Sequence, residues 1–251
     1  MTNTERTLRV DAVVLSHKEW GEADQLLVLF TREHGKMRAI AKGVRKMQSR
    51  KAGHLEPFSH TTLMLAKGHD SWIVTQAETI QAFVPLREDL QLMTYAAYVI
   101  ELLDRFTYEE GQNWHLYQLV VETLTNLASL EDPYIVIRYY EMRILDLLGF
   151  RPMLFECVRC HREILAEDQF FSAQQGGVLC PSCGSRAESS RLVSMEALRY
   201  LRHFQRGDYL NAQKANPPLE DRNEIEGLMN HYLTFILERK LNAPEFLKKI
   251  Q

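Results

Sequence analysis

The stretch DQLLVLFTREHGKMRAIAKG, residues 24–43, decides the fold of the N-terminal part of this chain. Its apolar residues form two short runs that meet at Gly35, which is the pattern of two antiparallel strands joined by a tight turn. The segment RVDAVVLSHK (9–18) precedes them as an alternating strand, and HTTLMLAKGHDSWIVTQAE (60–78) gives two more strands that meet at KGHD. Five short strands predict a small closed or nearly closed barrel, because so short a sheet cannot bury an open face and two edges alone.

From Pro85 onward the apolar residues recur with the period of helices. One apolar face runs from Leu92 to Phe106. A second helical face is predicted from five residues that share that spacing: Trp114, Tyr117, Val121, Leu124 and Leu127. A third helix is predicted between Asp132, a candidate N-cap followed by a proline, and Gly149.

Residues 153–191 contain the cysteines and lack long periodicity, and helical signals resume at Ser194 as a candidate N-cap. A last helix is predicted from Ile225 to about Leu241, after the break NPPLEDRN. The fold class is therefore α+β and multidomain. The predicted division has three parts: a barrel domain over 1–84, a helical domain over 85–152 and 192–251, and an inserted metal-binding segment over 153–191.

Charge is distributed unevenly along the 251 residues, whose formal net charge is -3. Residues 1–84 hold 12 Lys and Arg against 9 Asp and Glu, whereas the remainder holds 18 against 24. A basic N-terminal part indicates a polyanionic partner there. The sequence lacks an apolar stretch of the roughly 18 residues needed to cross a bilayer, and its N-terminus lacks a secretory signal pattern. We therefore expect a cytoplasmic protein with no membrane partner.

The four cysteines form two pairs, Cys157-Val-Arg-Cys160 and Cys180-Pro-Ser-Cys183, separated by 19 residues. A C-x-x-C turn aims two thiolates at one point, and two such turns complete a tetrahedral site of four sulfurs. A saturated site of this kind is typical of one structural Zn²⁺ ion, which folds a segment too small for its own core.

Other chemistries also use cysteines at such spacings. Cys157 to His161 has the spacing of c-type haem attachment, but the second pair would then have no role. His161-x-Glu163 followed by the second pair is similar to the zinc deaminase signature, although Pro181 follows the Cys that it should precede. A reducing cytoplasm disfavours disulfides, whereas an iron–sulfur cluster stays open.

The run KMRAIAKGVRKMQSRK, residues 36–51, is basic and contains no acid. Its seven cations are the candidate DNA phosphate contacts: Lys36, Arg38, Lys42, Arg45, Lys46, Arg50 and Lys51. If all seven met phosphates of a duplex, log K should fall with log salt at a slope of about -6. The run carries no aromatic residue, so Trp20 and Trp72 are the nearest candidates for base stacking. The alternatives are a solvated loop for the run and a barrel plug for each Trp.

Enzymatic motifs are absent from the sequence outside the cysteines: it has no Gly-rich phosphate loop, no nucleophile elbow and no paired-carboxylate constellation. We therefore expect a non-enzymatic DNA-binding protein. Two alternatives stay open, namely a protein–protein adaptor in which the helical domain is essential and a zinc-dependent deaminase that uses Glu163.

The chain resembles the RecO family of bacterial recombinational repair proteins over nearly its whole length. The resemblance is carried by AVVLSHKEWGEADQLLVLFTREHGKMRAIAKGVRK (12–46), SRKAGHLEPFSHTTLML (49–65) and LLGFRPMLFECVRCH (147–161) continuing to GGVLCPSCG (176–184). Its most specific part is the ordered series Gly-Glu-x-Asp, Thr-Arg-Glu-x-Gly and Lys-Gly-x-Arg.

The resemblance implies an OB-fold, a helical domain and a zinc-binding insertion. It also implies a mediator that binds single-stranded and double-stranded DNA, anneals complementary strands and works with RecR to help RecA displace single-strand-binding protein (SSB), with nucleoid association during repair. The family's DNA-binding surface corresponds to the basic run, and its zinc ligands to the four cysteines. The resemblance assigns no residues here to the pocket for the SSB tail. Arg138 and Arg143 are basic, but their helix also carries Glu141 and Asp146.

Overall fold

The structure is a computed structural model that describes residues 6–109, 111–129 and 131–243. These residues fall into two compact units, Met1–Glu131 and Asp132–Gln251. In the described residues, no helix has both the length and the apolar character that a membrane crossing requires. The three-part domain division of the sequence stays a prediction.

The first unit begins with a closed barrel whose strands pair in the order β1-β2-β3-β5-β4. The strands are β1 (Thr7–Trp20), β2 (Asp24–Thr31), β3 (Gly35–Ala41), β4 (His60–Lys67) and β5 (Trp72–Gln81). Strands β1 and β4 pair antiparallel, and the short parallel pairing of β3 with β5 closes the sheet. This five-stranded closed order is that of an OB-fold, so the predicted barrel is confirmed.

The barrel is filled by the inward residues of each strand. Val10, Ala12 and Val14 of β1 are fully buried in this core, as their alternation predicts. Ala39 and Ala41 of β3 are also fully buried, so the alternate residues Lys36, Arg38 and Ile40 face outward. The outward face of β3 is therefore available to carry function.

Three helices follow the barrel in the described part of the first unit: α1 (Pro85–Glu88), α2 (Leu90–Phe106) and α3 (Trp114–Ala128). Helix α2 begins where Asp89 Oδ1 accepts a hydrogen bond of 2.8 Å from Leu92 N. Helix α3 is confirmed, but its predicted apolar face is partly wrong. Leu116 and Val120 are buried, whereas Trp114 is 40% exposed, so the buried face of α3 is rotated from the predicted one.

The second unit contains five helices and a small sheet in its described part. The helices are α4 (Pro133–Leu147), α5 (Pro181–Gly184), α6 (Met195–Arg206), α7 (Tyr209–Ala212) and α8 (Leu219–Leu237). The strands β6 (Gln169–Ser172), β7 (Gly177–Leu179) and β8 (Ser190–Val193) form a sheet in the order β7-β6-β8. The predicted caps are confirmed, since Asp132 accepts from Tyr134 N and Ser194 accepts from Ala197 N.

Two predicted boundaries differ from the structure. The last helix begins at Leu219 rather than Ile225 and ends at Leu237 rather than Leu241. The reason is that Pro218 caps the helix instead of breaking it, since proline is compatible with the first turn. The basic run 36–51 begins inside β3 and continues past the end of that strand.

Candidate nucleic-acid interface and candidate metal centre

The seven cations of the basic run occupy two different settings. Lys36 and Arg38 project from β3, and the other five belong to the segment between β3 and the 3-10 turn Ala52–His54. Gly43 shapes this loop with a φ of +64°, and its N–H donates to Asp24 Oδ1 at 2.7 Å. Arg45 N donates to Ala23 O at 3.0 Å. The loop is thus fixed against the turn between β1 and β2.

The ammonium groups of Lys36 and Lys51 bind other residues of the protein. Lys36 Nζ lies 2.6 Å from Asp104 Oδ1 and donates to Asp104 O at 2.9 Å, and its side chain is only 13% exposed. Lys51 Nζ donates to Val74 O at 2.8 Å, and burial lowers its pKa below the usual range. Both lysines therefore stabilise the local fold through these contacts.

Two arginines of the run form surface ion pairs. Arg38 Nε lies 2.6 Å from Glu109 Oε1, and an Arg45 NH2 group lies 2.8 Å from Glu19 Oε1. Such exposed pairs are weak and are readily exchanged for another anion. The part played by these arginines in DNA binding stays a prediction.

The remaining three cations, Lys42, Lys46 and Arg50, have exposed side chains. Their side chains make no hydrogen bond or ion pair with any residue that the structure describes. They are therefore the members of the run whose charge is most available to a phosphate.

An open groove of about 1130 Å³ lies on the outer face of the barrel. It contains both Trp20, which is 48% exposed, and the half-buried Trp72. Trp20 ends β1, and Trp72 begins β5 directly beside Ala39 of β3. The structure therefore brings together the two aromatic residues that the sequence singled out, although they are 52 positions apart in the chain.

Apolar and charged residues share the lining of the groove. The lining includes the apolar residues Leu26, Met37 and Ile40 and the cations Lys36 and Arg38. Because side chains alternate along a strand, Lys36, Arg38 and Ile40 share the outward face of β3, and Lys42 continues the same row just past its end. In an OB-fold, the face of strands 2 and 3 between the first and fourth loops is the usual oligonucleotide-binding surface.

Sequence reasoning missed two basic residues that line this groove, His34 and Lys67. Lys67 pairs with Trp72 across the β4–β5 hairpin, and its ammonium lies 5.7 Å from the centre of the Trp72 ring. The signal was available, because Lys67 opens the KGHD turn that forms the fourth loop of the barrel.

The four cysteines come together in the second unit. Their Sγ atoms lie within 4.8 Å of one another, and Cys160 Sγ is 3.8 Å from Cys180 Sγ. Tetrahedral coordination with metal–sulfur bonds of about 2.3 Å requires sulfurs about 3.8 Å apart. The donor set and its spacing therefore fit a metal ion held by four thiolates.

Backbone hydrogen bonds form the two cysteine turns. His161 N donates to Cys157 O at 2.9 Å in the first turn, and Cys183 N donates to Cys180 O at 2.9 Å in the second. Cys180 directly follows β7, so the small sheet carries the second pair to the first. Gly184 lies so close to Phe170 that a Cβ would come within 2.4 Å of its ring. Glycine is thus required where the second turn packs on β6.

The thiols differ in their environment. Arg162 Nε donates to Cys160 Sγ at 3.4 Å, and this interaction lowers the pKa of Cys160 to about 6. Burial raises the pKa of Cys183 to about 12. Four thiolates this close repel one another, so a cation is needed for all four to be ionised together.

The geometry also bears on the alternative chemistries. The cluster contains Cys157 and Cys160 and does not include His161, which is exposed, so the ligand set of a zinc deaminase is not the one assembled here. All four cysteines are free thiols, so the structure contains no disulfide among them.

The two arginines considered for an acidic peptide tail are engaged within the second unit. Arg138 is buried and lies 3.0 Å from Glu141 Oε1. Arg143 donates to Gln205 O at 3.1 Å and lies 3.7 Å from Asp146 Oδ2.

Comparison with known proteins covers both units. The model of the family described as "Recombination protein O N terminal" matches residues 5–83, and that described as "Recombination protein O C terminal" matches residues 87–245. The chain is 36% identical over 247 residues to DNA repair protein RecO of Roseiflexus sp. strain RS-1, a match that covers 98% of this chain and 87% of that one. It is 34% identical to the same-named proteins of Dehalococcoides mccartyi strain 195 and Symbiobacterium thermophilum. These two matches cover 92% and 96% of this chain and 91% and 97% of theirs.

Proposed function

The chain belongs to the RecO family of DNA repair proteins, and we propose from this premise that it is a non-enzymatic mediator that binds single-stranded and double-stranded DNA and promotes strand annealing. The observation that carries the proposal is the groove on the outer face of the barrel, which joins Trp20 and Trp72 to a row of cations. A stacking platform beside a basic path is the general design of single-strand binding surfaces.

In the proposed binding mode, the aromatic residues contact the bases and the basic residues contact the phosphates. Bases of one strand would stack on Trp20 and Trp72 beside the apolar residues of the lining. Its phosphates would follow Arg38 and Lys42, with Lys67 beside Trp72 as a further contact. Stacking and phosphate contacts tolerate any sequence, so this surface would supply affinity without strong base preference.

The exposed loop cations extend this path beyond the groove. Lys42, Lys46 and Arg50 would hold the phosphates of a second strand or of a duplex, because their neighbourhood offers charge without an aromatic platform. Neutralising the phosphates of two strands lowers the repulsion that opposes their pairing, and annealing follows without any covalent step.

We further propose that the four cysteines hold one structural Zn²⁺ ion. Zinc accepts four thiolates in a closed tetrahedral site, which leaves no position for a substrate. The ion would fix the segment between α4 and α6, whose sheet strands are only three or four residues long.

The family resemblance also leads us to propose the partners RecR, the C-terminal tail of SSB and, indirectly, RecA. In this scheme the protein acts on SSB-coated strands during gap repair in the cytoplasm. No residues are assigned to these partners.

The decisive experiment compares tryptophan variants for binding to a labelled single strand and to a labelled duplex. Trp20→Leu should weaken single-strand binding by about 1–3 kcal/mol, the usual contribution of one stacked base, and should affect duplex binding less. Trp114→Leu is the matched control, because Trp114 is similarly exposed but does not line the groove. Equal affinity of Trp20→Leu and wild type for single strands would refute the proposed surface.

A further inference from the structure

We propose that the carboxylate of Glu109 competes with a DNA phosphate for Arg38, so that the groove contains its own anionic competitor. This inference rests on the proposed function, because it concerns the same groove. It assigns a role to a residue outside the basic run and outside the barrel strands.

The ion pair lies within the lining of the groove. Arg38 Nε and Glu109 Oε1 are 2.6 Å apart, and both residues line the groove. Their side chains are 59% and 50% exposed, so a ligand can reach them from solvent. A phosphate that binds the Arg38 guanidinium must therefore displace or share the position of the Glu109 carboxylate.

Several contacts hold Glu109 beside β3. Its backbone forms a parallel bridge with Lys36, and Lys36 Nζ donates to Thr107 O at 3.3 Å. On the other side of Glu109, the carbonyl of Gly111 packs against Gly35, where a Cβ would lie 2.1 Å from that oxygen. Gly35 has a φ of +68°, so glycine is required there on both grounds. The position of Glu109 thus follows from the packing of its neighbours on both sides.

The other acidic residues that line the groove are used differently. Asp11 N donates to Glu33 Oε2 at 3.2 Å, and Asp70 pairs with His69, which does not line the groove. Of the acids in the described lining, Glu109 is the one whose carboxylate pairs with a cation of the groove.

Because the Arg38–Glu109 ion pair is exposed, we expect Glu109 to weaken DNA binding without preventing it. Exposed ion pairs are weak and are screened by salt, so the pair reduces DNA affinity by a factor of about two to five. Arg38 can bind a phosphate only when its ion pair with Glu109 breaks. Glu109 therefore also removes the contribution of one phosphate contact from the salt dependence of DNA binding. That contact corresponds to about 0.7 in the slope of log K against log salt for a single strand.

The test uses the full-length protein, a fluorescent oligo(dT) strand and anisotropy titrations over a series of salt concentrations. Glu109→Gln should bind about two- to fivefold more tightly at low salt and show a slope steeper by about 0.7. Glu88→Gln is the matched control for the change in net charge, since Glu88 is exposed on α1 and does not line the groove. In an Arg38→Gln background, Glu109→Gln should produce no gain beyond that of the control.

The outcomes separate this inference from the proposed function. If Glu109→Gln binds no better than Glu88→Gln, or if its advantage persists without Arg38, the competition does not exist. The proposed function survives either result as long as Trp20→Leu weakens binding. If Trp20→Leu and Arg38→Gln both bind as wild type, the groove is not the DNA site and both proposals fall.

Discussion

Lys36 Nζ and Asp104 Oδ1 lie 2.6 Å apart and join β3 of the barrel to the end of α2. The same ammonium donates to the carbonyl of Asp104, in the last turn of α2, and to that of Thr107, which directly follows the helix. A cation at this place complements the negative end of the helix dipole. A residue that belongs to a basic run by sequence is therefore a tether within the first unit.

The contact between Lys36 and Asp104 predicts that substitutions of Lys36 and Lys42 affect stability differently. Lys36→Met should lower the free energy of unfolding by about 1–3 kcal/mol, because it removes a partly buried ion pair and leaves helix carbonyls without their donor. Lys42→Met should leave stability within about 0.5 kcal/mol of wild type, since its side chain is exposed. Urea denaturation of both variants measures the difference. Equal stability of the two would contradict the structural role of Lys36.

The three exposed loop cations lead to a prediction about salt dependence. Replacement of Lys42, Lys46 and Arg50 by Gln should reduce the slope of log K against log salt by about 2.7 for a duplex, at about 0.9 per lost phosphate contact. The control variant has Arg186, Lys214 and Arg239 replaced by Gln, because it changes the net charge equally in the second unit. An identical loss of slope in both variants would indicate that net charge alone, and not this loop, governs binding.

The sequence predicts the fold well where the signal is local. Alternation and a turn glycine such as Gly35 determine each hairpin, and the caps Asp132 and Ser194 determine where helices begin. The cysteine cluster is equally predictable, since spacing alone aims each pair of thiols at one point.

The sequence does not predict which contacts the individual Lys and Arg side chains make. Lys36 meets Asp104, 68 positions away, and Lys51 meets Val74, 23 positions away, and no periodicity encodes such contacts.

The metal centre leads to a prediction about composition and protection from protease. Purified protein should contain about one zinc ion per chain, and Cys180→Ser should lose it. Without the ion the segment 153–191 should become sensitive to trypsin, because its two cysteine turns lose the metal that joins them. Ser182→Ala, in the same turn, is the control and should retain both metal and protection. Full protection of Cys180→Ser would show that the segment folds without metal.

Two glycines of the second unit provide opposite tests of packing. Gly184→Ala should destabilise the protein by about 1–3 kcal/mol, because the added Cβ would lie 2.4 Å from the Phe170 side chain. Gly227→Ala lies within α8 and meets no atom within 4 Å, so it should stabilise by about 0.5–1 kcal/mol through helix propensity. Thermal unfolding measures both. Shifts of the same sign would contradict the packing described around β6.

The stability of the first unit should depend on the protonation of His60. His60 Nε2 lies 2.7 Å from the Tyr117 hydroxyl, and burial lowers the pKa of His60 below its usual value of 6.5, although the hydrogen bond to Gln81 and the charge of Asp11 oppose this shift. A lowered pKa means that the folded state prefers the neutral imidazole. The contribution is therefore complete above pH 6.5 and is lost as the pH falls through that value towards the lower pKa of the folded state.

His60→Gln removes this titration while keeping a polar side chain between β4 and α3. Between about pH 7.5 and pH 5, wild type should lose more of its free energy of unfolding than His60→Gln does, as measured by urea denaturation at each pH. The difference between the two proteins at pH 7.5 is the control, because it measures the effect of the substitution where the imidazole of His60 is neutral. If His60→Gln and wild type lose equal stability over this range, the imidazole is not held neutral by its burial, and acid sensitivity of the unit must come from other groups.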